Sequence, residues 1–311
     1  MLAAQPQLRD VSPIESRIPG TPKAGHPKRL IVNADDLGLS RGITDGIFLS
    51  HLKGIVTSAS LMVNQPATEY AVKCLHSDVR TLDVGIHLNL CQGRPVLPPS
   101  SVPSLVQGNG HFVPPPEMAR RLMRWQASTR EIEAEMCAQI DRMLSYGLRP
   151  SHADSHHRFH IYPAAAAVFA RAIRSRGIFR ARSAKKQTWP EQGWGAAHAG
   201  SFYRRIAVNA YNHVLQRALF RGLKAPDAGV ALHPKFRGKL TELANAWCFA
   251  FENMPSGTFE IWCHPGFPEK GFSKTDTLYV QREVELAMLT GSRLSETIKA
   301  AGIHLVNFKA L

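Results

Sequence analysis

Thiols are scarce in this chain: its 311 residues hold five cysteines, Cys74, Cys91, Cys137, Cys248 and Cys263, scattered and with no Cys-x-x-Cys pair. That argues against a disulfide framework or a thiolate zinc site, and a reducing cytoplasm is the simplest home. Long apolar runs are missing too. Stretches such as Pro163 to Ala170 fall far short of the ~18 residues a membrane span needs, so no transmembrane segment is expected. Residues 1–28 carry Pro, Arg and Lys but no apolar centre of a secretory signal, and read as a disordered leader. Acids are few: 24 Asp and Glu face 38 Lys and Arg, a formal charge of +14. The excess is local, since residues 171–240 hold 15 Lys and Arg against only Glu191 and Asp227. Such a block could meet nucleic acid, an anionic surface or an acidic substrate. No arginine-aromatic RNA motif or repeat accompanies it, so a solvated insertion is the plainer reading and no nucleic-acid partner is expected.

What remains is an ordinary globular composition, 44% hydrophobic and 20% charged, on a chain long enough for one large α/β unit. Apolar runs alternate with helical patterns. Strands are predicted at Arg29 to Ala34, Ile55 to Val63, Asp83 to Leu90, Ile178 to Arg182, Phe259 to Cys263 and Ile303 to Phe308, with a short one entering the histidine cluster after Pro150. Helices are predicted at Ile43 to Leu52, Ala67 to Leu75, after Ser128, at Pro163 to Arg176, at Leu278 to Leu289 and at Ser295 to Ala301. Ser128 followed by Glu131 reads as a capping box ahead of the stripe Ile132, Met136, Ile140, Met143 and Leu144. The rhythm implies parallel strands with helices outside, as a barrel or an open doubly wound sheet. Two segments break it, near 95–116 and 185–239. Both read as insertions at loop ends, where ligand-binding elements grow, within a single domain spanning 29–311.

Four places could carry chemistry. The first strand ends Asn33-Ala34-Asp35-Asp36-Leu37-Gly38. Adjacent strand residues face opposite ways, so two neighbouring carboxylates reach one site only at a strand end; the alternative is a helix cap and a turn residue. In Gly85-Ile86-His87-Leu88-Asn89-Leu90, alternation sets His87 with Gly85 and Asn89, as a metal ligand or as a satisfied strand histidine. From Ser151 to His160, four of the 14 histidines fall within nine residues, with Asp154 among them. That density suits a divalent metal, Asp154 orienting a ligand histidine. His264, in Trp262-Cys263-His264-Pro265-Gly266, stands at a strand-to-loop junction. Arg182 ends another predicted strand and could orient a carboxylate, or belong to the solvated basic surface.

Asn33-Ala34-Asp35-Asp36-x-Gly38, Gly85 to Leu90, the Ser151 to His160 cluster and Cys263-His264-Pro265-Gly266, in this order between Arg29 and Leu311, resemble the YdjC-like carbohydrate deacetylases. The resemblance implies a seven-stranded-type (β/α) barrel and hydrolysis of an N-acetyl group from an amino sugar. It places one divalent metal ion on Asp36, His87 and His156, with Asp35 as general base, His264 as general acid and Arg182 holding Asp35. Two histidines and one carboxylate favour zinc, iron, cobalt or manganese by ligand softness; the family is usually described with magnesium, so both magnesium and zinc stay open. The implied partner is an N-acetylated amino-sugar substrate, and a homodimer is left open. The chain departs from the family at Arg158, which takes the middle place of a His-x-His-x-His series and puts substrate contacts there in question. Two rival readings remain: a metal-dependent phosphoester hydrolase, with Asp154 as the spare ligand for a second ion, and a basic nucleic-acid or anionic-surface binding protein with a vestigial site.

Overall fold

Leu30, Ile31 and Val32 follow one another without polar alternation, the pattern of a strand covered on both faces, and all three are wholly buried in the first strand, β1 (Lys28–Leu37). The structure, a computed structural model, describes residues 27–185, 202–231, 238–269 and 278–311. All but the last two residues of the expected leader lie outside the described residues. Helix α1 (Arg41–Leu52) starts at Ser40, whose hydroxyl accepts the Ile43 N–H. Then come β2 (Ser58–Leu61), α2 (Thr68–Ser77), β3 (Asp83–Leu88), α3 (Pro115–Met123) and α4 (Thr129–Ser145). The Ser128 hydroxyl accepts the Glu131 N–H as expected, but the capping box is only half made, because the Glu131 carboxylate accepts from Ser104 and the Ser128 N–H donates to Ser104. Ile132, Met136, Ile140 and Met143 are buried, while Leu144 of the expected stripe is exposed.

The chain continues through β4 (Ala153–Ser155), α5 (Pro163–Ser175), α6 (Phe202–Ala218), β5 (Ala228–Ala231), α7 (Leu240–Glu252), β6 (Gly257–Cys263), α8 (Tyr279–Thr290), α9 (Ser292–Ala300) and β7 (Ile303–Leu305). Among the described residues every strand pairing is parallel, in the order β4-β3-β2-β1-β6-β5. β7 pairs with Lys28 to Leu30 of β1, along the edge that β2 takes from Asn33 onward. All C-terminal strand ends therefore share one end of the sheet, where parallel α/β folds place their sites. Among the described residues no helix is long and apolar enough to cross a membrane.

Two expectations need correcting. Ile178 to Arg182 is not a strand: Arg180 and Ala181 make only isolated bridges, to Lys224 and Ala153, so no single partner offers a ladder. The 185–239 segment is not purely an insertion either, because Ala228–Ala231 pairs in register with Phe259 to Trp262 as β5. Four small residues without alternation carry little strand signal. Next to β5, the Gly229 N–H donates to the Lys185 carbonyl, while Arg182 N–H donates to Ala153 on the far side. The sheet is thus curled into a half-barrel, with the Arg180 to Lys185 stretch touching both of its ends.

Candidate active site

β1 solves the problem of two adjacent carboxylates with a bulge. Ala34 pairs with Ala59 but Leu37 with Leu61, so one extra residue stands on β1. Asp36 absorbs it in the left-handed region, at φ 69°, a conformation that costs a non-glycine residue about 1–2 kcal/mol. The rotation brings both Asp35 and Asp36, each buried, onto one cavity wall.

Asp36 faces two imidazoles. Its Oδ1 is 3.0 Å from His156 Nδ1 and 3.5 Å from His87 Nε2, yet neither ring meets it at hydrogen-bonding geometry, which leaves Oδ1 a buried acceptor without a donor. Its Oδ2 accepts from Arg282 at 2.8 Å. Burial alone would raise the Asp36 carboxyl, but the charges of His156 and Arg282 hold it well below the usual carboxylate range. His87 Nδ1 pairs with Asp154 Oδ1 at 2.7 Å, a partner that fixes the ring so that Nε2 faces Asp36. Burial opposes a charge on His87, but Asp154, Asp35 and Asp36 outweigh it and raise its pKa to about 9. The ligand atoms of Asp36, His87 and His156 lie within 4.8 Å of one another. An unsatisfied anionic oxygen between two ring nitrogens is what a divalent cation would complete, so these residues fit one.

Beside this group, Arg182 grips Asp35 with both terminal nitrogens, Nη1 to Oδ2 at 2.8 Å and Nη2 to Oδ1 at 2.6 Å. The same guanidinium meets Asp154 Oδ2 at 2.6 Å and donates through Nε to Glu260 Oε1 at 2.7 Å. One arginine thus links three buried carboxylates, and their charges raise its pKa well above the ordinary value against the opposing effect of burial. Burial pushes Glu260 the other way, up to about 7, the effect of Arg182 notwithstanding. Asn33 also donates to Asp35 Oδ1, at 2.9 Å, and Ser60 to Asp154 Oδ2 at 2.9 Å. His264, just past β6, has Nε2 at 3.9 Å from Asp35 Oδ2, and Glu285 accepts its backbone N–H at 2.6 Å.

These groups open into a cavity of about 970 Å³, walled by Trp262 and, from the 95–116 segment, by residues including Asn109, His111 and Phe112. All six residues singled out from the sequence, Asp35, Asp36, His87, His156, Arg182 and His264, line it. The dense histidine cluster divides. His152 stacks on Phe308 with ring centroids 3.6 Å apart, and His160 is buried against Ser155, 2.7 Å from its hydroxyl; both serve packing. Asp154 orients His87, as expected for it. Arg158, also left-handed at φ 56°, lays its guanidinium over Trp262 at 4.9 Å and donates to the Ser183 and Ala184 carbonyls. The sequence reading missed Arg282 on α8 and Glu260 on β6. Arg282 sits in an ordinary helical pattern, and Glu260 breaks an apolar strand between Phe259 and Ile261, a signal that could have exposed it.

The chain is similar to known proteins over most of its length. The model of the family described as YdjC-like protein matches residues 29–300. A curated carbohydrate deacetylase of Geobacillus stearothermophilus is 33% identical over 285 residues, covering 91% of this chain and 98% of its own. One from Clostridium beijerinckii is 31% identical, covering 90% of this chain and 99% of its own. A solved structure from Enterococcus faecalis, described as a proposed cellobiose-phosphate cleavage protein, superposes with a TM-score of 0.75 at 26% identity, covering 91% of this chain and 98% of that one.

Proposed function

The chain belongs to the YdjC-like protein family, and from that premise we propose that it is a metal-dependent carbohydrate deacetylase that hydrolyses the N-acetyl group of an amino-sugar substrate. The observation that carries this is the pairing of two groups at one strand end: the Asp36, His87 and His156 set with its unsatisfied oxygen, and Asp35 held by Arg182 beside it. Asp36, His87 and His156 would hold one divalent ion, zinc or magnesium. Such an ion supplies Lewis acidity toward an amide carbonyl and makes a water molecule more acidic.

The remaining steps belong to the protein. Asp35 is the base: Oδ1 already accepts from both Arg182 and Asn33, whereas Oδ2, among the described residues, accepts from Arg182 alone and keeps a lone pair for the proton of an attacking water. Arg182 and Asn33 hold the carboxylate still while that proton arrives. His264, on the Oδ2 side of Asp35, donates a proton to the departing amine, so base and acid flank one scissile bond. Trp262 offers the cavity an aromatic face of the kind sugar rings stack on. We further read the half-barrel as a seven-stranded-type barrel closed by the irregular Arg180 to Lys185 stretch, and residues 29–311 as a single catalytic domain.

The phosphoester alternative relied on Asp154 as a free ligand for a second ion. Both its oxygens are already engaged, by His87, Arg182 and Ser60, which favours the deacetylase reading. The test is incubation of the purified protein with N-acetylated chito-oligosaccharides and with sugar phosphates, with acetate, free amine and phosphate quantified. Equal release of acetate and amine is expected; release of phosphate without acetate would reverse the assignment.

A further inference from the structure

The cavity holds a second group of metal-ligating atoms that this reaction does not use. The Cys91 sulfur and one ring nitrogen each of His156 and His157 lie within 4.8 Å of one another. Cys91 is held just beyond β3 by its own N–H, which donates to the Asn89 side chain at 3.1 Å. His157 is left-handed at φ 54°, and this turn sets its ring edge-on to His156 with centroids 4.4 Å apart. Cys91 packs with the buried core and the His157 ring stacks on Phe159, yet among the described residues neither the Cys91 sulfur nor the His157 ring makes a hydrogen bond, so the donor atoms of both stay uncommitted. All three residues line the cavity, and His157 is exposed to it.

One thiolate and two imidazoles form a softer set than one carboxylate and two imidazoles, and favour cadmium, the softer ion, over zinc and magnesium. We propose that Cys91, His156 and His157 capture a divalent ion softer than zinc, such as cadmium, and that this capture inhibits the enzyme. His156 belongs to both groups, so an ion held by Cys91 and His157 draws it away from Asp36 and His87. On binding, the Cys91 thiol gives its proton to solvent and the sulfur donates a lone pair to the ion, with no redox change. The inhibitory consequence rests on the deacetylase reading; the binding does not.

The experiment titrates the full-length protein with cadmium and follows the ultraviolet thiolate-to-cadmium charge-transfer band. Wild type should develop the band to saturation at one ion per chain. Cys91→Ser and Cys91→Ala should both lack it, and His157→Ala should need roughly tenfold or more cadmium, the scale on which weakened metal sites lose affinity. His87→Ala should keep the band, because His87 belongs only to the other group. No band in wild type, an undiminished band in both Cys91 variants, or its loss in His87→Ala overturns the proposal. These readouts do not require turnover, so they stand if the deacetylase reading fails. If acetate release is observed, cadmium should inhibit wild type at a concentration at least about tenfold lower than Cys91→Ser, each measured against its own uninhibited rate; equal sensitivity contradicts the inhibitory role.

Discussion

His87 Nδ1 and Asp154 Oδ1 stand 2.7 Å apart at the buried end of the sheet, and this contact decides which imidazole nitrogen is left for Asp36. Asp154 is itself fixed by Arg182 and Ser60, so the orientation of one metal-ligand histidine is tied to the arginine that holds the base. Asp154→Asn should therefore weaken metal affinity by about 10–100-fold, while His87→Ala and His156→Ala should lose the ion outright. Metal titration calorimetry reads both. Full metal occupancy in both alanine variants would sink the site assignment.

Asp35→Asn preserves the shape of the base but not its proton affinity. It should keep the metal and lower turnover by ~10²-fold or more. Metal content and acetate release measured on one preparation separate the two effects; loss of metal in Asp35→Asn with retention in Asp36→Asn would exchange the two roles.

Arg182 is the buried counter-charge for Asp35, Asp154 and Glu260. Arg182→Met strands these carboxylates and should destabilise the fold by about 3–5 kcal/mol in urea unfolding. Arg182→Lys should recover only part, because an ammonium cannot reproduce the planar fork. A loss below about 1 kcal/mol in Arg182→Met, the range of ordinary substitutions, would contradict the role of Arg182 as hub.

Glu260 gives a pH signature. Burial raises its carboxyl from 4.5 to about 7, so across that window the folded chain keeps a proton the unfolded chain has lost. The unfolded state then binds fewer protons, and the Glu260 contribution to stability falls as pH rises. The amide of Glu260→Gln cannot titrate, so the stability of this variant relative to wild type should improve between pH 5 and pH 8, a window of about the size of that shift. Urea midpoints at the two pH values test this; a constant difference would show that Glu260 does not titrate there.

Gly85, on β3, leaves room for a neighbour rather than for a turn. A methyl group there would overlap the His152 ring, which Phe308 and Ser60 hold from other sides. Gly85→Ala should cost about 1–3 kcal/mol, as overpacking does. An unchanged unfolding midpoint would mean that His152 is free to move.

Much of this was legible in the sequence because the signals were local. A continuous apolar run announced β1, apolar residues on both sides of Glu260 announced β6, the Ser128 and Glu131 pair announced α4, and the motif residues marked four strand ends. What stayed hidden depends on partners distant in the chain. Ala228–Ala231 becomes a strand only beside Phe259 to Trp262. The β1 bulge shows itself only in the register against β2, and Arg282 reaches Asp36 from 246 residues away. Of the four clustered histidines, periodicity could not separate His156, which faces Asp36, from His152 and His160, which pack.

The central claim joins one ion to one reaction, and the most direct measurement follows both together: acetate release from N-acetylated amino-sugar oligomers while chelated protein is reloaded with zinc or magnesium. The account predicts no release from the chelated protein and activity that rises with bound metal to a plateau at one ion per chain. Undiminished acetate release from protein shown to be free of metal, or no release at full loading across the oligomer panel, would contradict it.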